Sequence, residues 1–303
     1  MFEMLKLSLC LWMAGLAALA GSVSYSYDAV GRLARVDFPN GKSIVYTYDP
    51  AGNMLSRVVF DNSSGATPAI SANGVDNAAS FVSGAVAPGE MISIFGTGIG
   101  PQSAAGEVIS DATFSKLVAD TAVLFDGEPA AVVFVSALQT SVLVPYSVAG
   151  KTTTQLQVIF QGRASNAISL PVAASAPGVF TANASGKGNG AILNQNGSSN
   201  SPTNPAKKGS TIVLFATGEG QTNPPGVDGK IAGAVLPKPL LPVSATIGGA
   251  NAVVQYAGAA PGLVAGVVQV NVVVPTNIAS GAQLLILKVG SASSQAAVTV
   301  SVQ

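Results

Sequence analysis

The chain has 303 residues, of which 48% are hydrophobic and 9% charged, with 34 glycines and a formal net charge of zero. That composition excludes general disorder and supplies core for about two globular domains, leaving Ser, Thr, Asn and Gln to cover much of the surface. Residues 21–128 hold 5 basic and 11 acidic side chains and residues 129–303 hold 8 and 2, with no basic cluster, which argues against nucleic acid as a partner.

Residues 1–20 read as a signal peptide. A short n-region with Lys6 precedes the apolar run LSLCLWMAGLAALA, and Ala18-Leu19-Ala20 gives the small-x-small pattern of a peptidase site, so cleavage after Ala20 is predicted. The run is 14 residues long, short of the roughly 20 that a spanning helix needs, and no membrane span is expected after cleavage. Cys10 and Trp12 leave with the peptide, so the mature chain has no Cys, Trp or His. Export without disulfides places it in the envelope or outside the cell, dependent on its core for stability.

Residues 21–60 carry an internal repeat. Tyr-x-Tyr-Asp-x-x-Gly starts at Tyr25 and again at Tyr46, and Pro39-Asn40-Gly41 between them predicts a hairpin turn, since Asn-Gly readily takes positive φ. The tyrosine pairs Tyr25/Tyr27 and Tyr46/Tyr48 each share a strand face and are expected to pack with their hydroxyls at the rim. Asp28 and Asp49 read as turn formers. Through Tyr27-Asp28, Gly31-Arg32-Leu33, Pro39, Gly41, Tyr48-Asp49 and Gly52 the segment resembles the RHS/YD repeat family, whose hairpins coil into large shells; two repeats are too few to enclose one.

After a linker at 61–69, the rest reads as two related modules, 70–175 and 176–303. GEMISIFGTGIG from Gly89 returns as GSTIVLFATGEG from Gly209, LFDGEPAAVVFV as TIGGANAVVQYA, VLVP ending at Pro145 as VVVP ending at Pro275, and GRASNAISLPV from Gly162 as GSASSQAAVTV from Gly290. Short runs with period-2 alternation, such as Val268, Val270, Val272 and Val274, predict strands, and turn signals about every ten residues favour an antiparallel sandwich. Period two also means that only one residue of each pair Ile94/Phe95 and Leu214/Phe215 can face inward. Residues 111–120 are the one place where a helical turn is considered. The segment ASGKGNGAILNQNGSSNSPTNP is turn-rich, compatible with an ordered hairpin and with a linker.

Glycines at 96, 98 and 100, and again at 218 and 220, follow a predicted strand as they do in phosphate-binding loops. No helix is predicted to start where they end, so they read as turns. Gly41-Lys42-Ser43 and Gly150-Lys151-Thr152 spell the end of a P-loop, but the glycine required five residues earlier is Val36 or Pro145, and both read as hairpin turns.

The motif series ISANGVDNAASFVSGAVAPGEMISIFGTGIGP, SAPGVFTANASGKGNG with its continuation to Pro225, and AGAAPGLVAGVVQVNVVVP resembles the uncharacterised C-terminal domain family of Solibacter-type acidobacterial secreted proteins, over residues 70–303. The strand-Gly-Thr-Gly pattern is similar to IPT/TIG-type immunoglobulin-like modules. These resemblances imply secretion and an all-β fold of two tandem immunoglobulin-like sandwiches after the YD-repeat hairpin; they imply no activity.

The residue inventory argues against catalysis. Without His, neither Ser-His-Asp and Cys-His nucleophile systems nor histidine metal sites can be assembled. A glycosidase needs two carboxylates at one site, and from residue 129 onward there are Glu219 and Asp228 alone. Glu219 stands where the first glycine loop has Ile99 and reads as a solvated loop carboxylate, a metal or sugar ligand being the alternative. No catalytic, cofactor or metal residue is assigned. The expected role is adhesion to an envelope, glycan or protein ligand through end loops, with a structural spacer and a carbohydrate-binding module as alternatives. The carbohydrate reading is weakened by the absence of Trp and by Tyr146 and Tyr256 being the only tyrosines in the tandem modules.

Overall fold

A computed structural model describes residues 22–28, 30–39, 42–61 and 67–303. The predicted signal peptide, its cleavage site, Cys10, Trp12, Asn40-Gly41 and most of the 61–69 linker lie outside them. The described residues are all-β, with no α-helix and one 3-10 turn at Tyr146–Val148. Contacts divide the chain into two units, 1–63 and 64–303.

The first unit is an antiparallel meander of β1 (Ser24–Tyr27), β2 (Leu33–Asp37), β3 (Lys42–Tyr48) and β4 (Met54–Asp61). The repeat supplies its turns. The Gly31 N–H bonds the Asp28 carbonyl and Gly52 N–H the Asp49 carbonyl, each at 3.0 Å. Asp28 Oδ1 accepts the N–H groups of Val30 and Arg32, and Asp49 Oδ1 accepts that of Asn53, the local bonding that suits Asp to turns. The Arg32 guanidinium lies 4.8 Å from the centre of the Tyr48 ring and donates to the Asp49 carbonyl, joining the two turns. Tyr48 packs as expected and its hydroxyl reaches the Leu33 carbonyl at 2.9 Å. Tyr25 and Tyr27 do not: they are 60% and 62% exposed, because β1 is an edge strand of this sheet with a partner on one side only.

In the second unit, four larger sheets form two sandwiches. The first packs the sheet containing β5 (Ala69–Asn77), β6 (Met91–Thr97), Gln139–Leu143 and Ala131–Val135 against the sheet built on Thr121–Phe125, Thr153–Phe160 and Ile168–Pro171. Their shared core includes Ile92, Ile94, Val142, Phe125, Leu156 and Val158. The second packs Thr211–Thr217, Val268–Val273 and Val254–Ala259 against Val298–Val302, Gly281–Val289 and Val243–Ile247, around Ile212, Leu214, Val270, Ile247, Leu287 and Val300.

The sequence repeat has a structural counterpart down to irregularities. β6 pairs with Gln139–Leu143 as Thr211–Thr217 pairs with Val268–Val273. A bulge falls between Val132 and Phe134 in one sandwich and between Val254 and Tyr256 in the other, and these positions are aligned in the repeat. Residues 111–120 form no helix; they contain the strand Thr113–Phe114, paired with Ile109–Ser110, because each of Phe114 and Ser115 donates its N–H away from any helical partner, to Gly229 and Val108. The turn-rich segment before Gly209 is tied to the C-terminal strand: Asn200 Nδ2 donates to Asn194 Oδ1 and to the Ser301 carbonyl, and Asn200 Oδ1 accepts the Ser301 N–H.

A third apolar cluster joins the sandwiches. Ala131 and Leu143 meet Ala260, Val264 and Val267, with Met91, Phe114, Val133, Phe180 and Phe215 packed around them. The inner face goes to the aliphatic residue in both copies, since Ile94 and Leu214 are fully buried. Phe215 is drawn into the cluster between the sandwiches, and its counterpart Phe95 is 36% exposed. Ile94→Ala and Leu214→Ala are each expected to cost about 2–5 kcal/mol, and Phe95→Ala less than about 1 kcal/mol, as read from urea unfolding midpoints at constant m-value.

Candidate functional site

The polar residues of the second unit converge at the join between its sandwiches. Two glycines let the second glycine loop approach the connecting segment. A side chain at Gly218 would collide with the Ala176 carbonyl and one at Gly220 with that of Ala174, so backbone packs directly on backbone. No helix begins at either glycine loop; Thr222–Asn223, a short strand, follows the second. The loops are close-approach turns, as read from the sequence.

Because the loop is pressed against the connector, Glu219 is not solvated, contrary to expectation. It is 5% exposed. Its Oε1 accepts the Tyr146 hydroxyl at 3.4 Å, and its Oε2 is buried without a partner. That atom belongs to a residue lining a cavity of about 10 Å³, whose other walls include Thr217, Val268, Val270 and Leu287. Such a space is at the limit for one water molecule. From the first sandwich comes Glu90, 1% exposed. Its Oε1 accepts the Asn77 amide at 2.8 Å and its Oε2 the Ala87 N–H at 2.7 Å. The same Asn77 amide donates to the Ala176 carbonyl, and the Met91 N–H donates to Thr217 Oγ1 at 2.8 Å, so both sandwiches and the connector share one network.

Tyr146 stands at its centre. Its ring lies where side chains on Gly89 or Gly226 would be, its N–H donates to Asp228 Oδ1 at 2.9 Å, and its carbonyl accepts the Gln221 amide at 3.1 Å. Glu219 and Asp228, the two acids singled out beyond residue 128, are thus brought to the same tyrosine, one at its hydroxyl and one at its backbone.

Burial pushes the Glu90 carboxyl up to about 8; hydrogen bonds from Ala87 and Asn77 oppose this and the charge of Glu219 adds to it. Burial pushes Glu219 up to about 8 as well, opposed by its own backbone N–H and by Tyr146. The Tyr146 phenol rises above its ordinary value through burial, with the charges of Glu219 and Asp228 adding. Burial at the join therefore favours the neutral form of both carboxyls, which avoids enclosing bare charge. Among the described residues no three His, Cys, Asp or Glu side chains are grouped so as to hold a metal ion. Glu90, bonded to Asn77 and Ala87, and Glu219, bonded to Tyr146, are enclosed where the two sandwiches meet.

Sequence reasoning singled out Glu219 but passed over Glu90, and it treated Tyr146 only as a possible sugar platform. The signal lay in the repeat: where the first copy has Glu90 and Tyr146 the second has Ser210 and Thr276, and where the second has Glu219 the first has Ile99. The backbone frame is alike at both places, with Gly89 N–H bonded to the Val144 carbonyl and Gly209 N–H to that of Val274. The copies diverge at the side chains that meet across the join.

Comparison with known proteins adds two findings. Residues 20–63 match the RHS Repeat family, the segment whose turns are described above. Among solved structures, the chain is similar to the Bacteroides ovatus mixed-linkage glucan utilization locus protein SGBP-B, in complex with a mixed-linkage heptasaccharide, with a TM-score of 0.28 and 11% identity, covering 93% of this chain and 58% of that one. No curated protein matches. Among the described residues no helix is long and apolar enough to cross a membrane.

Gly226→Ala places a methyl group in the Tyr146 ring and is expected to cost about 1–3 kcal/mol. In a Tyr146→Ala background the same substitution should cost much less, and a double-mutant cycle by chemical denaturation measures the difference.

Proposed function

We propose that the mature protein is an exported, non-enzymatic β-sandwich protein, located outside the cell or in its envelope, that binds a ligand through sandwich end loops. The observation that carries this reading is the inward commitment of the acids: Glu219 and Asp228 both bond Tyr146, and Glu90 is sealed beside Asn77. Acid–base chemistry on a substrate requires groups that reach it, whereas Glu90 and Glu219 are buried and the half-buried Asp228 is engaged with the Tyr146 N–H. The motif series over 70–303, with its resemblance to secreted acidobacterial domains and to immunoglobulin-like modules, supports export and the division into 70–175 and 176–303. Loops on a rigid sheet frame are where binding residues concentrate.

The end of the unit at which both sandwiches contribute is the one to test first. Phe114 and Ile231 donate their N–H groups to Gly229 and Ala112, and Ala232 to Leu263, so three loops form one surface. It presents Ile109, Val227 and Leu263 to solvent.

Glycan binding is favoured as a second reading by Tyr25 and Tyr27, two exposed rings on one face of β1, the arrangement on which sugar rings stack. The tyrosines of the sandwiches do not offer this, since Tyr146 is enclosed and the Tyr256 ring lies 5.8 Å from the Lys238 ammonium, with its hydroxyl bonded to the Ala259 carbonyl.

Residues 21–303 should be presented to immobilised polysaccharides and to envelope fractions. End-loop binding predicts at least a tenfold loss on joint substitution of Ile109, Val227 and Leu263 by Ser, with Tyr25→Ala/Tyr27→Ala unaffected. The opposite pattern transfers binding to the repeat sheet. Failure to bind any fraction favours a spacer, and turnover of a hydrolase substrate by the purified protein rejects the non-enzymatic reading.

A further inference from the structure

We propose that the join between the sandwiches is a proton-dependent clasp: Glu90 and Glu219 hold the two sandwiches together while protonated, and loss of their protons to solvent loosens the join without unfolding either core.

The geometry places one buried acid on each side of the same network. Glu90 belongs to the first sandwich and reaches the connector through Asn77, whose amide also bonds the Ala176 carbonyl. Glu219 belongs to the second and reaches the first through the Tyr146 hydroxyl. Each acid is also anchored in its own sandwich, Glu90 by Asn77 and Ala87 and Glu219 beside the small cavity walled by Val268, Val270 and Leu287. The residues that replace them in the opposite copy, Ser210 and Ile99, show that the fold itself requires no acid at either position.

No cation offsets ionisation here, and the neutral donors on the carboxyls, Asn77 and Ala87 at Glu90 and Tyr146 at Glu219, counter the effect of burial only in part. Every group facing the pair is neutral or acidic: Asn77 from β5, Tyr146 from the 3-10 turn, Asp228 beside Tyr146, and each acid for the other. Asp76, the neighbour of Asn77, pairs with Ser93 and so belongs to the other surface of that sheet. No lysine or arginine acts on either carboxyl. The partnerless Oε2 of Glu219 makes the charged form costlier still, because a buried carboxylate oxygen without a donor retains its full desolvation penalty.

The direction of the effect follows from linkage. Both carboxyls are raised from the ordinary value near 4.3 to about 8 when the join is closed. The closed form therefore binds the protons more tightly than the open form, in which the acids meet water. Closure is strongest below about pH 4 and weakens as pH rises through the interval to about 8, by up to tenfold per pH unit for each carboxyl, then levels off. A loosened join would uncover Leu143, Val267 and Phe215 while leaving the two sandwich cores intact.

Amide hydrogen exchange on the full chain tests this, with rates expressed as protection factors so that the intrinsic pH dependence is removed. The reporters are the N–H groups of Ala87, Met91 and Tyr146, which bond across or within the join, against those of Val142 and Val270 in the sheets. The expected result is at least a tenfold loss of protection at the join between pH 5 and 8, with the sheet amides unchanged. Glu90→Gln and Glu219→Gln should each reduce that pH slope, and the double variant should abolish it. A flat profile in the unsubstituted protein overturns the clasp, as does an equal loss at the sheet amides or a slope left undiminished by both single substitutions.

Discussion

One tyrosine ring between two glycines fixes the arrangement of the larger unit. Tyr146 fills the space that side chains on Gly89 and Gly226 would take. Its backbone and hydroxyl then set where Asp228, Gln221 and Glu219 must be. Close packing tolerates little variation in volume at such a point. Once the ring is seated, the apolar faces carrying Leu143 and Val267 are brought into contact and the connector is trapped between Asn77 and the second glycine loop. Two sandwiches with separate cores thereby behave as one compact unit, a relation that neither core would impose by itself.

The cost of this arrangement falls on electrostatics. A join made only of valines would bury area without titrating, at about 25 cal/mol per Å². This one also buries two carboxyls, which need hydrogen bonds in the neutral form and have no cation to balance the charged one. Buried polar networks of that kind specify geometry more than they add stability. Here the specification is directional, because Glu90 and Tyr146 are fitted to one side and Glu219 to the other.

The all-β class, the period of the tyrosine repeat and the tandem repeat of strands were legible because each rests on local pattern: alternation, turn residues and self-similarity. Ile92 and Ile212, or the bulges before Phe134 and Tyr256, fall in place once the repeat is seen. The inner face of Ile94/Phe95 was ambiguous, since period two says that neighbours differ and not which is inside; the large ring is excluded from a core already filled by Val142, Leu156 and Val158. The join was hardest to read. Glu219 looked like a loop carboxylate because nothing local reveals that a connector some 40 residues earlier in the chain will cover it. Tyr25 and Tyr27 looked packed because the pattern does not say which strand will be an edge.

The bonds between Asn200 and Ser301 carry a consequence for the order of assembly. They close 101 residues of chain, and the strand they hold, Val298–Val302, lies between the Gly188–Asn189 strand and Gly281–Val289 in its sheet. A polypeptide delivered from its N-terminus can complete the first sandwich from residues up to Pro171 while the second still lacks an interior strand. Topology of this kind slows folding, because loop-closure entropy is spent before the distant contacts repay it. The second half of the unit therefore waits, with open sheet edges, for the last segment to arrive.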